Sequence, residues 1–123
     1  MSRVVTVKCT VRDPELLRKT CSELGLAEPR LGEHEVGPDR YWDTKPGYRV
    51  DLPDFEWPAV YNCERGDVYT YPGVEQSAIF PLVGQRYAVE SIRQAAIANG
   101  VTLGEPVLNE YGIYEIEAEY ATA

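Results

Sequence analysis

The sequence predicts a single two-layer α+β sandwich, ferredoxin-like or related, with two helices on one face of a mainly antiparallel sheet. Three observations predict it. The chain opens and closes on segments that alternate with period two. Two segments of helical period lie between them. The resulting order of strand, helix, strands, helix, strands leaves each strand one apolar side for helices to cover. At 123 residues the chain is the size of one domain. No internal repeat or low-complexity linker argues for a second domain, so residues 1–123 are read as one unit.

The first strand is expected over Val4–Val11, where Val5, Val7, Cys9 and Val11 alternate with Thr6, Lys8 and Thr10. A helix follows over Pro14–Leu24. Asp13 supplies a capping oxygen, Pro14 stands where a missing N–H costs nothing, and Leu16, Leu17, Cys21 and Leu24 recur at helical spacing. Gly25 then closes the helix in a left-handed conformation.

From Leu26 to Phe80 the pattern weakens, because Pro29, Pro38, Pro46, Pro53, Pro58 and Pro72, with Pro81 just beyond, interrupt any long element. Two extended pieces, Tyr48–Leu52 and Ala59–Cys63, are legible there. Arg65-Gly66-Asp67 is read as a hairpin turn from Ala59–Cys63 into Val68–Tyr71. Order returns at Pro81, where Val83, Tyr87, Ala88, Ile92, Ala95 and Ala96 form an apolar stripe that runs to Asn99-Gly100. Beyond this second helix, Val101–Leu103 and Val107–Leu108 are extended and Asn109–Gly112 turns. A last strand carries Tyr114, Ile116, Ala118 and Tyr120 on one side, completing a C-terminal hairpin.

Composition narrows the function. With 44% hydrophobic and 26% charged residues the chain needs neither disulfides nor a partner to fold. Twenty acidic residues against twelve basic ones give a net charge of -8, which repels the phosphate backbone and argues against direct nucleic-acid binding. The same charge suits solubility, a basic protein partner, or imitation of nucleic acid at a basic site on another protein. Cys9, Cys21 and Cys63 are odd in number and lack C-x-x-C spacing, no leader pattern opens the chain, and no run reaches the roughly twenty apolar residues of a membrane span. A cytoplasmic protein is expected, with no membrane partner.

No cofactor or metal is expected, and no catalytic residue is assigned. His34 is the single histidine, and its neighbours Glu33 and Glu35 point opposite to it on an extended segment, a poor chelating arrangement. Cys63 is the one thiol not placed on an apolar face, and a pairing of Cys63 with His34 is the one nucleophilic arrangement to test. No glycine-rich phosphate loop is present.

Two features point instead to binding a protein partner. Tyr41, Trp42, Trp57 and Tyr61 belong to an aromatic-rich, proline-punctuated segment. Such rings serve either as rigid contact area on a binding surface or as the core beneath long loops. In the last strand Glu115, Glu117 and Glu119 share one side, a carboxylate row that either protects an exposed sheet from edge association or docks Lys and Arg of a partner.

The run Val83-Gly84-Gln85-Arg86-Tyr87-Ala88 opens the second helix. Together with the first strand and the Asp13–Gly25 helix, it resembles a family of small hypothetical proteins shared by cyanobacteria and plastid genomes. Gln85-Arg86-Tyr87-Ala88 is the closest point of likeness, and the likeness covers the first 25 and last 45 residues without the proline-rich centre. It implies a non-catalytic accessory protein working beside a larger machine. Such a module is the leading expectation. An acidic, possibly phage-encoded, inhibitor that mimics nucleic acid on a host enzyme is the second, and a small-molecule enzyme with an unrecognised site is the third.

Overall fold

The computed structural model describes residues 3–120, with the backbone alone for Ala118–Tyr120. Five strands form one antiparallel sheet: β1 (Val5–Lys8), β2 (Arg30–Glu35), β3 (Thr44–Val50), β4 (Ala59–Asn62) and β5 (Asp67–Thr70), ordered β1-β5-β4-β3-β2. The last four make a meander, and β1 adds to its far edge through Val5 opposite Thr70 and Lys8 opposite Asp67. Helices α1 (Pro14–Glu23) and α2 (Ile79–Ala98) pack together on one face. The expected α+β sandwich with a mainly antiparallel sheet is present.

Helix α1 forms as its sequence dictates. Asp13 Oδ1 accepts from the N–H of Glu15 at 2.9 Å and of Leu16 at 3.4 Å, Pro14 occupies the first turn, and Gly25 takes φ +71° just beyond the C-terminus. Its buried residues Leu16, Leu17 and Cys21 meet Val83 and Tyr87 of α2 over Val50, Ala59, Tyr61, Cys63 and Val68 of the sheet. A fully buried Leu such as Leu17 contributes about 1.5–3 kcal/mol of transfer free energy. The opposite face buries only a small second cluster, Val36, Val60 and Tyr69.

Several expectations are corrected. Strand β1 is shorter than Val4–Val11, and Val5 and Val7 stay 42% and 50% exposed because the strand lies at the sheet edge. Strand β2 was not expected: its sequence, Arg-Leu-Gly-Glu-His-Glu, has no apolar alternation because it is an edge strand exposed along most of its length. Asp67 begins β5 rather than ending the turn, and the turn runs Cys63–Gly66.

Helix α2 starts two residues before Pro81, which sits harmlessly in the first turn. Its buried side keeps Val83 and Tyr87 of the expected stripe and departs from the rest. Val83, Arg86, Tyr87, Val89 and Glu90 are buried, whereas Ile92 is 57% exposed and Ala88 and Ala95 face solvent. Beyond Glu90 no residue of the helix is buried. No helix among the described residues is long and apolar enough to cross a membrane.

The C-terminal hairpin is two short ladders in succession. Strand β6 (Val101–Leu103) pairs with β9 (Ala118–Tyr120), and β7 (Val107–Leu108) pairs with β8 (Tyr114–Glu115). Between the ladders Gly104, Glu105 and Pro106 oppose only Ile116 and Glu117, a one-residue bulge. Pro106 has no N–H to give the ladder, and Gly104 N–H bridges to Glu117 O at 2.8 Å instead. The expected continuous strand from Tyr114 to Tyr120 is therefore broken at Ile116. Asn109 shapes the tip, its Oδ1 accepting from the N–H of Tyr111 at 2.9 Å and of Ile113 at 3.0 Å.

Candidate functional site

The aromatic segment divides into core and surface. Tyr61, expected as a partner-binding residue, points from the centre of β4 into the main cluster and is 3% exposed. This is a correction: β4 is an inner strand and its alternate residues face the helices, so Tyr61 offers nothing to a partner. Burial pushes its phenol pKa up.

Tyr41 and Trp42 are the opposite case. They stand on the β2–β3 loop, 81% and 48% exposed, with ring centroids 4.7 Å apart in an edge-to-face arrangement of 82°. The loop beneath them is held at many points. Asp39 Oδ1 accepts from Tyr41 N–H at 3.1 Å and Trp42 N–H at 3.3 Å, so one carboxylate orients both aromatic residues.

Asp43, 2% exposed, closes the loop. Its N–H donates to Asp39 O at 2.7 Å, its Oδ2 accepts from Asp39 N–H at 3.1 Å, and its carbonyl accepts from Val36 N–H at 2.8 Å. Thr44 Oγ1 donates to Arg40 O at 2.6 Å, and Arg40 Nε pairs with Glu35 at 3.2 Å. Gly37 lets the loop sit down on the sheet. A Cβ there would lie 2.5 Å from Asp43 Oδ2 and 2.7 Å from the Tyr71 ring. Tyr71 in turn packs on half-buried Trp57 with centroids 5.9 Å apart. The loop that carries Tyr41 and Trp42 is thus joined to Trp57 through Gly37 and Tyr71.

The carboxylate row is only partly formed. Glu115 and Glu117 are exposed, but the bulge separates them: Glu115 lies in β8 and Glu117 in the gap before β9. Glu115 accepts from Asn109 Nδ2 at 3.0 Å. The side chain of Glu119 lies outside the described residues.

Chemistry at Cys63 and His34 is not assembled. Cys63 belongs to the helix-covered cluster, whereas His34 pairs across the ladder with Lys45, which lies over the Tyr69 ring on the other face of the sheet. The two residues are on opposite sides of the sheet and cannot act together. His34 Nε2 is 2.7 Å from Arg30 O, a contact in which the ring nitrogen donates. Burial pushes the Cys63 thiol up to about 11, away from a reactive thiolate. No group of three or more potential metal ligands gathers among the described residues.

Arg86 and Tyr87 are interior residues. Tyr87 Oη accepts from the N–H groups of Arg12 at 3.2 Å and Asp13 at 3.0 Å, tying α2 to the start of α1. Arg86 lies against Glu90 at 2.9 Å and Glu23 at 3.4 Å, with its guanidinium 5.5 Å from the Tyr114 ring centroid. Glu90, 1% exposed, also meets Arg93 and Lys19, each at 3.4 Å. That Arg86 pairs with a carboxylate and Tyr87 packs in the core is what the sequence suggests, but the burial of Glu90 is hidden there because Glu90 reads as a solvent-facing helical residue.

No protein-family model, curated protein or solved structure matches the chain.

Proposed function

We propose that this chain is a non-catalytic accessory module that binds a protein partner, with Tyr41 and Trp42 as its anchors. One observation carries the reading: two large, exposed aromatic rings are held on a loop whose conformation is set by Asp39, Asp43 and Gly37. Exposed rings on a floppy loop would lose conformational freedom on binding. Rings already oriented lose little, which is how aromatic anchors concentrate binding energy in a few residues. Trp57 and Tyr71 adjoin the loop of Tyr41 and Trp42 at Gly37. The resemblance carried by Gln85-Arg86-Tyr87-Ala88 points toward the same accessory role, although Arg86 and Tyr87 themselves serve the interior.

Affinity purification of the tagged chain from its host, followed by titration of the recovered protein, tests the reading. Trp42→Ala is expected to weaken that complex by about 2 kcal/mol, roughly thirtyfold in Kd. A recovered partner whose affinity is the same for Tyr41→Ala, Trp42→Ala and the parent chain removes the proposal.

A further inference from the structure

Residues 101–120 contain five glutamates and no lysine or arginine. The same stretch exposes large apolar side chains: Val107 at 63%, Leu108 at 44%, Tyr111 at 79% and Ile113 at 59%. Single exposed apolar residues are ordinary, but four within residues 107–113 of one acidic hairpin mark an element that something covers. The ladder register places Val107 and Glu115 together on one side of the hairpin. Leu108 and Tyr114 share the other, where Tyr114 meets Arg86 of α2. The outward side is thus apolar and acidic at once.

The backbone is equally incomplete. Both ladders are two-stranded, with no third strand beside either among the described residues. A two-stranded hairpin is marginal alone, and its outer edges keep unpaired N–H and C=O groups. At the bulge, a groove of about 510 Å³ is lined by Gly104, Glu105, Val107, Glu115, Ile116 and Glu117. Val107 and Ile116 provide an apolar wall for the methylene stem of a Lys or Arg side chain, and the carboxylates of Glu115 and Glu117 stand where its charged head would emerge.

We infer that the hairpin 101–120 is a docking strip for an extended segment of a partner protein in which apolar residues alternate with Lys or Arg. The segment adds as a third strand, so that main-chain hydrogen bonds give affinity. Its Lys or Arg side chains lie on the outward face, against Val107 and Glu115, and its apolar side chains on the other face, beside Leu108 and Tyr114. A nucleic acid is repelled by the same glutamates, and an acidic segment likewise. The inference rests on the reading of the chain as a protein-binding module, but it uses residues distinct from Tyr41 and Trp42.

The probe is the peptide acetyl-Lys-Val-Lys-Val-Lys-Val-Lys-amide, titrated into the full chain at physiological salt, with amide exchange followed across β7 and β8. Saturable binding with new protection in β7 or β8 is expected. Glu115→Lys with Glu117→Lys should weaken binding by about tenfold or more, since two attractive contacts become repulsive. Glu64→Lys with Glu75→Lys changes the net charge equally at exposed positions elsewhere, and should leave affinity within about twofold. Equal weakening by the two double variants would reduce the effect to attraction by net charge and overturn the inference, as would absence of saturable binding. Weakening by Trp42→Ala without any effect of the hairpin variants would also overturn it by moving the peptide to the aromatic loop. Loss of the Trp42 effect on a captured partner, with the peptide still governed by Glu115 and Glu117, would remove the proposed anchor role and leave this inference standing.

Discussion

Ser77 Oγ donates a 2.6 Å hydrogen bond to Asp54 Oδ1, joining positions 23 apart in the chain at the start of α2. Ala78, the capping position of that helix, has no oxygen to offer. Asp54 acts from a distance instead, its Oδ2 accepting from the N–H of Ala78 at 2.7 Å and of Ile79 at 3.3 Å, while Ser77 Oγ accepts from Phe80 N–H at 3.0 Å. The hydrogen bond from Ser77, with those from Ala78 and Ile79, holds the Asp54 carboxyl below its usual range. A depressed pKa contributes stability that is present above the unfolded value and lost as pH falls through the folded one. Asp54→Ala should therefore lower the thermal midpoint at neutral pH and speed amide exchange at Ala78, Ile79 and Phe80. Its deficit against the parent chain should shrink as pH drops below about 4. An unchanged deficit at acid pH would show that the carboxylate charge contributes nothing.

The Arg86–Glu90 seam predicts an asymmetric mutational response. Burial raises the Glu90 carboxyl pKa, but the hydrogen bonds and charges of Arg86 and Lys19 outweigh it and leave the group below its usual range. Glu90→Ala leaves the Arg86 guanidinium, 8% exposed, with the Glu23 carboxylate at 3.4 Å and the Tyr114 ring beside it. A loss of about 3 kcal/mol is expected, read as a lowered urea midpoint at unchanged slope. Replacing both partners, Arg86→Met with Glu90→Leu, should recover most of it, because the desolvation cost of both charges disappears together. A double variant as unstable as the single one would contradict this account. The ionic contribution should again fade below about pH 4, the window set by a depressed carboxylate.

The three thiols should separate by reactivity. Burial pushes Cys21 and Cys63 each up to about 11, whereas Cys9 lies half-buried beside the edge strand. Alkylation of the folded chain near pH 8, followed by mass spectrometry, should label Cys9 first and the other two only on unfolding. Early labelling of Cys63 would reopen a chemical role for it.

What the sequence made legible depended on burial. Helix α1 was readable to within a residue because Asp13, Pro14 and Gly25 act locally and Leu16, Leu17 and Cys21 face a core. Strand β2 was unreadable because an exposed edge strand has no apolar side to alternate. The α2 stripe misled because helical periodicity reports which residues could share a face, not which of them a core covers, and nothing in α2 beyond Glu90 is buried. The hairpin was predicted, but its bulge arises from Pro106 facing a partner strand that sequence spacing does not reveal. Among the aromatics, Tyr61 and Trp42 look alike in sequence. The register of β4 sends Tyr61 into the core, and the side chain of Asp39 holds the backbone of Trp42 on the surface.

Gly37 provides the test that links fold to binding. Its hydrogen atoms face Asp43 Oδ2 and the Tyr71 ring at distances that a Cβ would reduce to 2.5 and 2.7 Å. Neither neighbour can withdraw freely, since Asp43 is 2% exposed and bonded to Asp39, and Tyr71 is packed on Trp57. Gly37→Ala must therefore push the loop off the sheet, at a cost of about 1–3 kcal/mol. The displacement loosens the Asp39–Asp43 frame that orients Tyr41 and Trp42, although both rings remain in the chain. If orientation is what makes them anchors, Gly37→Ala should weaken partner binding severalfold even where thermal unfolding shows the domain still folded, and Trp42→Ala in that background should cost less than in the parent chain. Equal Trp42→Ala penalties in the two backgrounds would mean that the rings bind by exposure alone and that the rigid loop is incidental.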